Sequence, residues 1–265
     1  MIIQIESWGG RTRWGDKGTV PGSYYARREE QITGTPEELE RRLALGELEP
    51  RWPAVVALVA SSFLLWQASR LLSFAPLPWG ITLTLGLLPL VLVVALLGPT
   101  IRTHRRGHPQ ANYVLLMVAT VLITLFALLW LCLLVVIVFQ HSFVEAPDTL
   151  LLSAATLWFT NVLVFTLWYW LLDAGGPHKR ERREGHPDGA FLFPQMTLSK
   201  ATGNGPAWSP RFVDYLFLAF NTSTALSPTD TAVLSRWAKM LMMLQAVISL
   251  AIIVLLAAYA INILD

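Results

Sequence analysis

Long apolar runs recur along this chain and restrict its fold more than any other feature of the sequence. Several of them exceed the roughly 18 residues that indicate a membrane-spanning helix. The composition agrees, because 54% of the residues are hydrophobic and only 14% are charged. We therefore expect an integral membrane protein embedded in the lipid bilayer, with five transmembrane helices at residues 53–72, 79–97, 113–139, 150–172 and 233–264.

A sixth apolar segment, FVDYLFLAF at residues 212–220, is too short to cross the bilayer. As a helix it would reach roughly 14 Å, against a hydrocarbon core of about 30 Å. The polar sequence NTSTALSPTD follows it at residues 221–230. Polar backbone at membrane depth persists only where protein or a water-filled cavity surrounds it. The segment is therefore predicted to be a re-entrant half-helix at residues 212–226. The predicted fold class is an all-α integral membrane protein with five transmembrane helices and this half-helix.

Three regions are predicted along the chain. Residues 1–52 are polar and form a short cytoplasmic tail, in which Thr35, Pro36 and Glu38 are typical of the start of a short juxtamembrane helix. Residues 53–149 form a peripheral bundle of the first three helices. Residues 150–265 form a module of helix 4, a basic loop, the half-helix and the last helix.

The loops alternate strongly in their basic residues. The tail holds eight Lys and Arg, the second loop three and the fourth loop five, whereas the first and third loops share only Arg70. Because basic loops remain in the cytoplasm, the N-terminus and the second and fourth loops are predicted to be cytoplasmic. The C-terminus is outside if the half-helix returns to its side of origin, and inside if it crosses. The cytoplasmic residues would be Arg11, Arg13, Lys17, Arg27, Arg28, Arg41, Arg42, Arg51, Arg102, Arg105, Arg106, Lys179, Arg180, Arg182, Arg183 and Lys200.

The order of an outer helix, a half-helix, a threonine-rich turn and an inner helix over residues 150–265 resembles the pore module of potassium channels. Residues 212–215 resemble the aromatic-x-Asp opening of the pore helix, and residues 222–224 resemble the threonines that end it. The Val-Gly-Tyr-Gly filter is absent, and Ala-Leu-Ser-Pro occupies residues 225–228 instead. The resemblance therefore implies a pore module without potassium selectivity. A half-helix that enters from the cytoplasm would be similar to the arrangement in ionotropic glutamate receptors.

The whole chain also resembles a bacterial family of multi-span inner-membrane proteins known as a domain of unknown function. This resemblance rests on the basic loop after helix 2, on Gly175–Gly176 after helix 4, and on SPTDTAVLSR at residues 227–236. It implies the same fold and a location in the bacterial inner membrane, and it implies no mechanism.

The first functional hypothesis is an oligomeric, channel-like protein that is weakly selective for monovalent cations. Asp230 would draw cations to the mouth of the path, and Gln245 and Ser249, four residues apart, would line it along the last helix. An interhelical contact is the alternative for both, and it is the interpretation adopted for Asn161. A pore loop needs several copies around an axis, so a homotetramer is expected. The constriction would be formed by one amide and three hydroxyls: Asn221, Thr222, Ser223 and Thr224.

The second hypothesis is a non-conducting membrane scaffold or accessory subunit, in which the half-helix fills the bundle and the tail binds a partner. A transporter is a third alternative, but no paired broken helices occur in two halves of the chain. An enzyme is not expected, because no HExxH, GxSxG or paired acids lie in the spans. No cofactor, metal or nucleic-acid partner is expected, given a net charge of +2 and a single cysteine, Cys132.

Overall fold

A computed structural model describes residues 49–71, 78–105, 108–139, 147–180, 189–197, 208–224 and 230–264. The backbone in these ranges is almost entirely helical. The predicted tail helix and residues 225–226 of the predicted half-helix lie outside the described residues. In chain order the elements are α1 Trp52–Leu71, α2 Trp79–Arg105, α3 Pro109–Phe139, α4 Pro147–Leu172, a 3₁₀ turn Asp173–Gly175, α5 Pro177–Arg180, β1 Phe191–Leu192, α6 Phe212–Thr224, β2 Ala232–Val233 and α7 Arg236–Leu264.

Five helices within the described ranges, α1 to α4 and α7, are long and apolar enough to cross a membrane, as the sequence predicted. With 13 residues, α6 is about 20 Å long. Helix α6 begins at Phe212, the residue predicted for the start of this segment. The last helix begins at Arg236 rather than at residue 233. The predicted start was wrong because Ala232–Val233 pair with Phe191–Leu192 as a short antiparallel sheet.

A second correction concerns the end of α2. The sequence predicted an end at residue 97, because Gly98–Pro99 follows it, but the helix continues to Arg105. Proline removes one backbone N–H from the helix and crowds the preceding turn. Thr100 adds a side-chain hydrogen bond in the same turn, from its hydroxyl to the Leu96 carbonyl at 2.7 Å. Local bonds of this kind help transmembrane helices to tolerate proline.

The central helix of the bundle is α4, against which α1, α3, α6 and α7 all pack. Its Tyr169 and Trp170 side chains are completely buried. The close contact between α1 and α2 depends on Gly86, because a Cβ at that position would lie only 1.8 Å from Ser69 Oγ. Small residues that allow helices to approach closely are typical of membrane bundles.

Helix α6 runs antiparallel to α4. Phe212 packs edge-on against Trp170 in the last turn of α4, with ring centroids 5.8 Å apart. Phe220 packs in the same way against Trp158, near the middle of α4, also at 5.8 Å. The chain then returns, because β2 pairs with β1 and Phe191 of β1 contacts Tyr169 of α4 at 5.3 Å. Both ends of the segment from α6 to β2 therefore lie at the C-terminal end of α4.

Candidate functional site

A side-chain cap starts α6. Asp214 in the first turn accepts a hydrogen bond at Oδ2 from the Arg211 backbone N–H, at 2.7 Å, as one half of a capping box does. Phe212 and Tyr215 are buried against the bundle. The residues that resemble the opening of a pore helix thus start this half-helix and dock it on α4.

An ionic cluster, defined by Glu49, Asp173, Arg180 and Tyr215, holds the start of α6. Asp173 is completely buried and accepts hydrogen bonds from the Tyr215 hydroxyl and the Ala190 backbone N–H, both at 2.6 Å. The Arg180 guanidinium forms a salt bridge with Glu49 at 3.1 Å and lies 5.1 Å from the centre of the Tyr215 ring. The cluster joins the start of α6 to the end of α4, to α5 and to the segment that precedes α1.

A sharp turn after α4 brings Arg180 into this cluster. Residues 174–176 have φ angles of 51°, 79° and 93°, in the left-handed region that glycine adopts at least cost. Arg180 then donates hydrogen bonds to the carbonyls of Trp170 and Asp173, at 2.8 and 2.9 Å. Carbonyls at a helix end have no partner within the helix. Arg180 therefore caps α4 as well as pairing with Glu49.

The ionic cluster combines one positive charge with two carboxylates and a neutral phenol. Burial raises the pKa of the Tyr215 phenol well above its usual range, while the positive charge of Arg180 acts in the opposite direction. The phenol therefore stays protonated at physiological pH and donates its proton to the Asp173 carboxylate. Buried charges persist where they are paired or hydrogen-bonded. Here the Arg180 guanidinium pairs with the Glu49 carboxylate, and the Asp173 carboxylate accepts hydrogen bonds from Tyr215 and Ala190.

The four residues predicted to form the constriction occupy the last turn of α6. Neighbours on a helix point about 100° apart, so the four cannot share one surface. Thr222 donates to the Leu218 carbonyl at 2.8 Å and Thr224 donates to the Asn221 carbonyl at 3.1 Å. Both threonines and Asn221 are half-buried, whereas Ser223 is buried and turns toward α7.

Gln245 of α7 is the centre of a neutral network, defined by Asn161, Tyr169, Ser223, Gln245 and Ser249. The Gln245 amide nitrogen donates to the Ala219 carbonyl and to the Ser223 hydroxyl, both at 2.7 Å. Its oxygen accepts a hydrogen bond from the Tyr169 hydroxyl. Because Gln245 is completely buried, these bonds tie the end of α6 to both α4 and α7.

Ser249 lies one turn after Gln245 and is also buried. It accepts a hydrogen bond from Asn161 Nδ2 at 2.8 Å, which confirms the interhelical role predicted for Asn161. Gln245 and Ser249 lie on one face of α7, as their spacing predicted. That face points at α4 and α6, so both side chains make the interhelical contacts considered as the alternative to lining a path.

Asp230, predicted at the mouth of an ion path, is exposed just before β2. Residues 225–229, between Asp230 and α6, lie outside the described residues. Among the residues that the structure describes, no group of three or more His, Cys, Asp or Glu could hold a metal ion. Cys132 is exposed on α3.

Sequence reasoning missed the ionic cluster. In the sequence, Arg180 is indistinguishable from the other basic residues of its loop, all of which indicate only a cytoplasmic location. One signal was present, because Asp173 directly follows a long apolar run and precedes a Gly-Gly pair and an arginine. A carboxylate at that point needs a partner if the following turn folds back on the helix end.

Comparison of the chain with protein-family models, with curated proteins and with solved structures finds no match.

Proposed function

We propose that this chain is one protomer of a channel-like membrane protein, in which several copies, most simply four, arrange their half-helices around an axis. In this proposal α4 is the outer helix, α6 the pore half-helix and α7 the inner helix, the order that resembles the potassium-channel module. The observation that carries the proposal is the path of α6, which begins at one end of α4 and stops near its middle.

That path is the one expected of a re-entrant segment. Helix α6 starts beside the last turn of α4, where Phe212 contacts Trp170, and Phe220 contacts Trp158 near the middle of α4. By β2 the chain is again beside the end of α4. At about 20 Å, α6 is also shorter than the hydrocarbon core of about 30 Å. A segment with this length and this return does not cross the bilayer, and its polar end stops at depth.

Loop charge assigns the side from which α6 enters. The end of α4 leads into Lys179 and Arg180, and the start of α7 carries Arg236 and Lys239. By the positive-inside rule this end is cytoplasmic. The half-helix then enters from the cytoplasm of a bacterial inner membrane, opposite to potassium channels. The N-terminus is cytoplasmic and the C-terminus is outside.

The narrowest polar point in this proposal consists of Asn221, Thr222 and Thr224, which are half-buried in the protomer. One amide and two hydroxyls per copy would give weak selectivity among monovalent cations, because no ring of filter carbonyls replaces the hydration shell. Asp230, exposed on the cytoplasmic side, would attract cations to the mouth.

The buried residues of the neutral network receive a different role in the proposal. Ser223, Gln245 and Ser249 point into the protomer and are hydrogen-bonded there. We assign them to positioning α6, which must be held firmly if its last turn forms a constriction.

Neighbouring copies would meet through α6 and α7. Both helices have an apolar outer face that no other described part of the protomer covers. In a homotetramer, this face contacts the adjacent copies, with lipid around the outside. Native mass spectrometry in several mild detergents and in nanodiscs is expected to show a tetramer, and a monomer under all these conditions contradicts the assembly. The exposed residues include Val213, Phe217, Phe220, Met240, Met243 and Val247.

Ion flux through the purified protein in liposomes tests the proposal. Thr224→Val keeps the side-chain shape and removes one hydroxyl per copy, so we expect lower conductance or a changed ion preference. Thr156→Val is the matched control, because Thr156 also donates to a carbonyl of its own helix, at 2.6 Å. Unchanged currents in both variants, or strong potassium selectivity in the parent protein, contradict the proposal.

The alternative is a non-conducting scaffold or accessory subunit. One observation favours it: Ser223, Gln245 and Ser249 find their hydrogen-bond partners inside one protomer, so they do not require a water-filled path. This alternative predicts no flux from the purified protein and stable co-purification with one partner protein. Flux that Thr224→Val alters excludes it.

A further inference from the structure

A cavity of about 330 Å³ lies outside the candidate site, between the end of α4 and the start of α7. Ligand sites typically have volumes of roughly 300–1,000 Å³, so the cavity is large enough for a small polar group with its attached atoms. It lies where the two candidate spans 151–180 and 236–257 both end. Its lining residues include Gly175, Lys179, Ala190, Ser235 and Trp237.

The described lining of the cavity carries one positive charge. Lys179 is the one ionised side chain among the described lining residues. The nearest buried carboxylate in sequence, Asp173, is directed to the Tyr215 hydroxyl and the Ala190 backbone N–H. Glu49 is paired with Arg180. Both acids therefore have partners of their own within the ionic cluster.

Gly175 holds Lys179 against the cavity wall. A Cβ at Gly175 would lie 2.7 Å from Lys179 Cδ and 3.5 Å from its Nζ. The absence of this atom allows the lysine chain to lie across the turn, with its ammonium group beside the cavity. The φ of 79° at Gly175 further restricts the position to glycine. The Lys179 side chain is exposed and lines the cavity, so its ammonium group is accessible to a ligand there.

Two other lining groups suit a ligand at a bilayer surface. The Ser235 hydroxyl accepts a hydrogen bond from the Ala238 backbone N–H at 3.3 Å, and a hydroxyl retains a proton to donate. Trp237 is 40% exposed and packs edge-on against Phe191 at 6.2 Å. Tryptophan is enriched at the level of the lipid headgroups.

We infer that this cavity binds a phosphate group, held by the Lys179 ammonium and the Ser235 hydroxyl. An anionic phospholipid fits best, because the cavity lies at the ends of two spans and the exposed apolar face of α7 begins beside it. Leu244, which is not among the residues named above for contacts between copies, is exposed two turns beyond Trp237 and can accompany the acyl chains. Free inorganic phosphate offers the same chemistry. The site is independent of whether the protein conducts ions.

Native mass spectrometry of the full-length protein tests this inference, with phosphatidylglycerol and phosphatidylcholine as probes. The parent protein should retain phosphatidylglycerol over phosphatidylcholine. Lys179→Gln should weaken that retention at least about tenfold, as the loss of a hydrogen bond to a charged group implies. Lys179→Arg keeps the charge and should retain the lipid. Lys239→Gln removes an exposed cation at the same end of α7 outside the cavity, and should have a much smaller effect.

A second arm distinguishes the two sources of phosphate. If millimolar inorganic phosphate displaces phosphatidylglycerol from the parent protein, free phosphate occupies the site. If the lipid remains, the headgroup is the ligand. Equal retention by the parent protein and Lys179→Gln overturns the inference. Equal losses in Lys179→Gln and Lys239→Gln also overturn it, because they would indicate diffuse attraction to a basic surface.

Discussion

Two polar clusters hold the same short helix, α6, and they differ in chemistry, because one is ionic and the other is neutral. At the start of α6 the ionic cluster uses one guanidinium, two carboxylates and a phenol. At its end the neutral network uses amides and hydroxyls only. Both clusters are buried, and both reach α4, yet charged side chains are confined to the first.

The difference follows from where the clusters lie along the spans. The ionic cluster is at the end of α4, where headgroups and water are close and a buried ion pair costs least. The neutral network extends from Tyr169 in the last turn of α4 to Asn161 near the middle of that helix, so most of it lies deeper along the spans, where an ionised group would cost several kcal/mol. A neutral hydrogen bond at that depth contributes less energy but carries no charge penalty. The stronger, charged interactions thus hold the start of α6, and the neutral, directional hydrogen bonds hold its end.

The largest expected effect is that of Arg180→Met. This change leaves the Glu49 carboxylate without its partner, and it removes the donor to two carbonyls at the end of α4. Breaking a buried pair in this way typically costs about 3–5 kcal/mol. We expect a corresponding loss in the free energy of unfolding, measured by SDS titration in mixed micelles.

Arg102→Met is the control for Arg180→Met, because Arg102 is an exposed basic residue near a helix end. It should leave the unfolding curve nearly unchanged. Equal stability of both variants contradicts the anchoring role of the ionic cluster.

A smaller loss is expected for Gln245→Leu. The Ala219 carbonyl and the hydroxyls of Ser223 and Tyr169 lose a partner while remaining buried. The expected cost is about 1–3 kcal/mol, in the same assay. Gln110→Leu, an exposed position on α3, should have no measurable effect. A loss for Gln245→Leu that exceeds the loss for Arg180→Met would reverse the ranking of the two clusters.

The smallest effect concerns the bond between Asn161 and Ser249. A double-mutant cycle with Asn161→Ala and Ser249→Ala isolates this pair from the rest of the neutral network. Interhelical hydrogen bonds in membranes average about 0.6 kcal/mol, and we expect a coupling energy of that size. A coupling energy of zero indicates that the two residues contribute by packing alone.

Much of the fold could be predicted because the thickness of the bilayer sets how long an apolar run must be to span it as a helix. The five long helices and the start of α6 at Phe212 followed from that relation. The continuation of α2 to Arg105 did not, because Gly98–Pro99 is a strong local stop signal that the membrane environment overrides. The strand at Ala232–Val233 also escaped prediction, since two residues carry no periodicity.

The sequence predicted which residues of the candidate site share a helix face, but not which residues they contact. A separation of four residues predicts that Gln245 and Ser249 lie on one face of α7, and the structure places them so. Which helices that face meets depends on how α4, α6 and α7 pack, which the spacing does not encode. Arg180 shows the same limit, because its charge indicates a side of the membrane while its burial depends on the turn at residues 174–176.

Paired cysteine labelling tests the central claim, that α6 enters and leaves on one side of the membrane. Ser209 and Asp230 are exposed positions that flank the segment. Each is replaced by cysteine in a Cys132→Ser background, and so is Ser142, in the third loop. We expect membrane-impermeant reagents to label residues 209 and 230 only in inside-out vesicles, and residue 142 only from outside intact cells. Labelling of residues 209 and 230 from opposite sides would show that the segment crosses the bilayer, and would contradict the account.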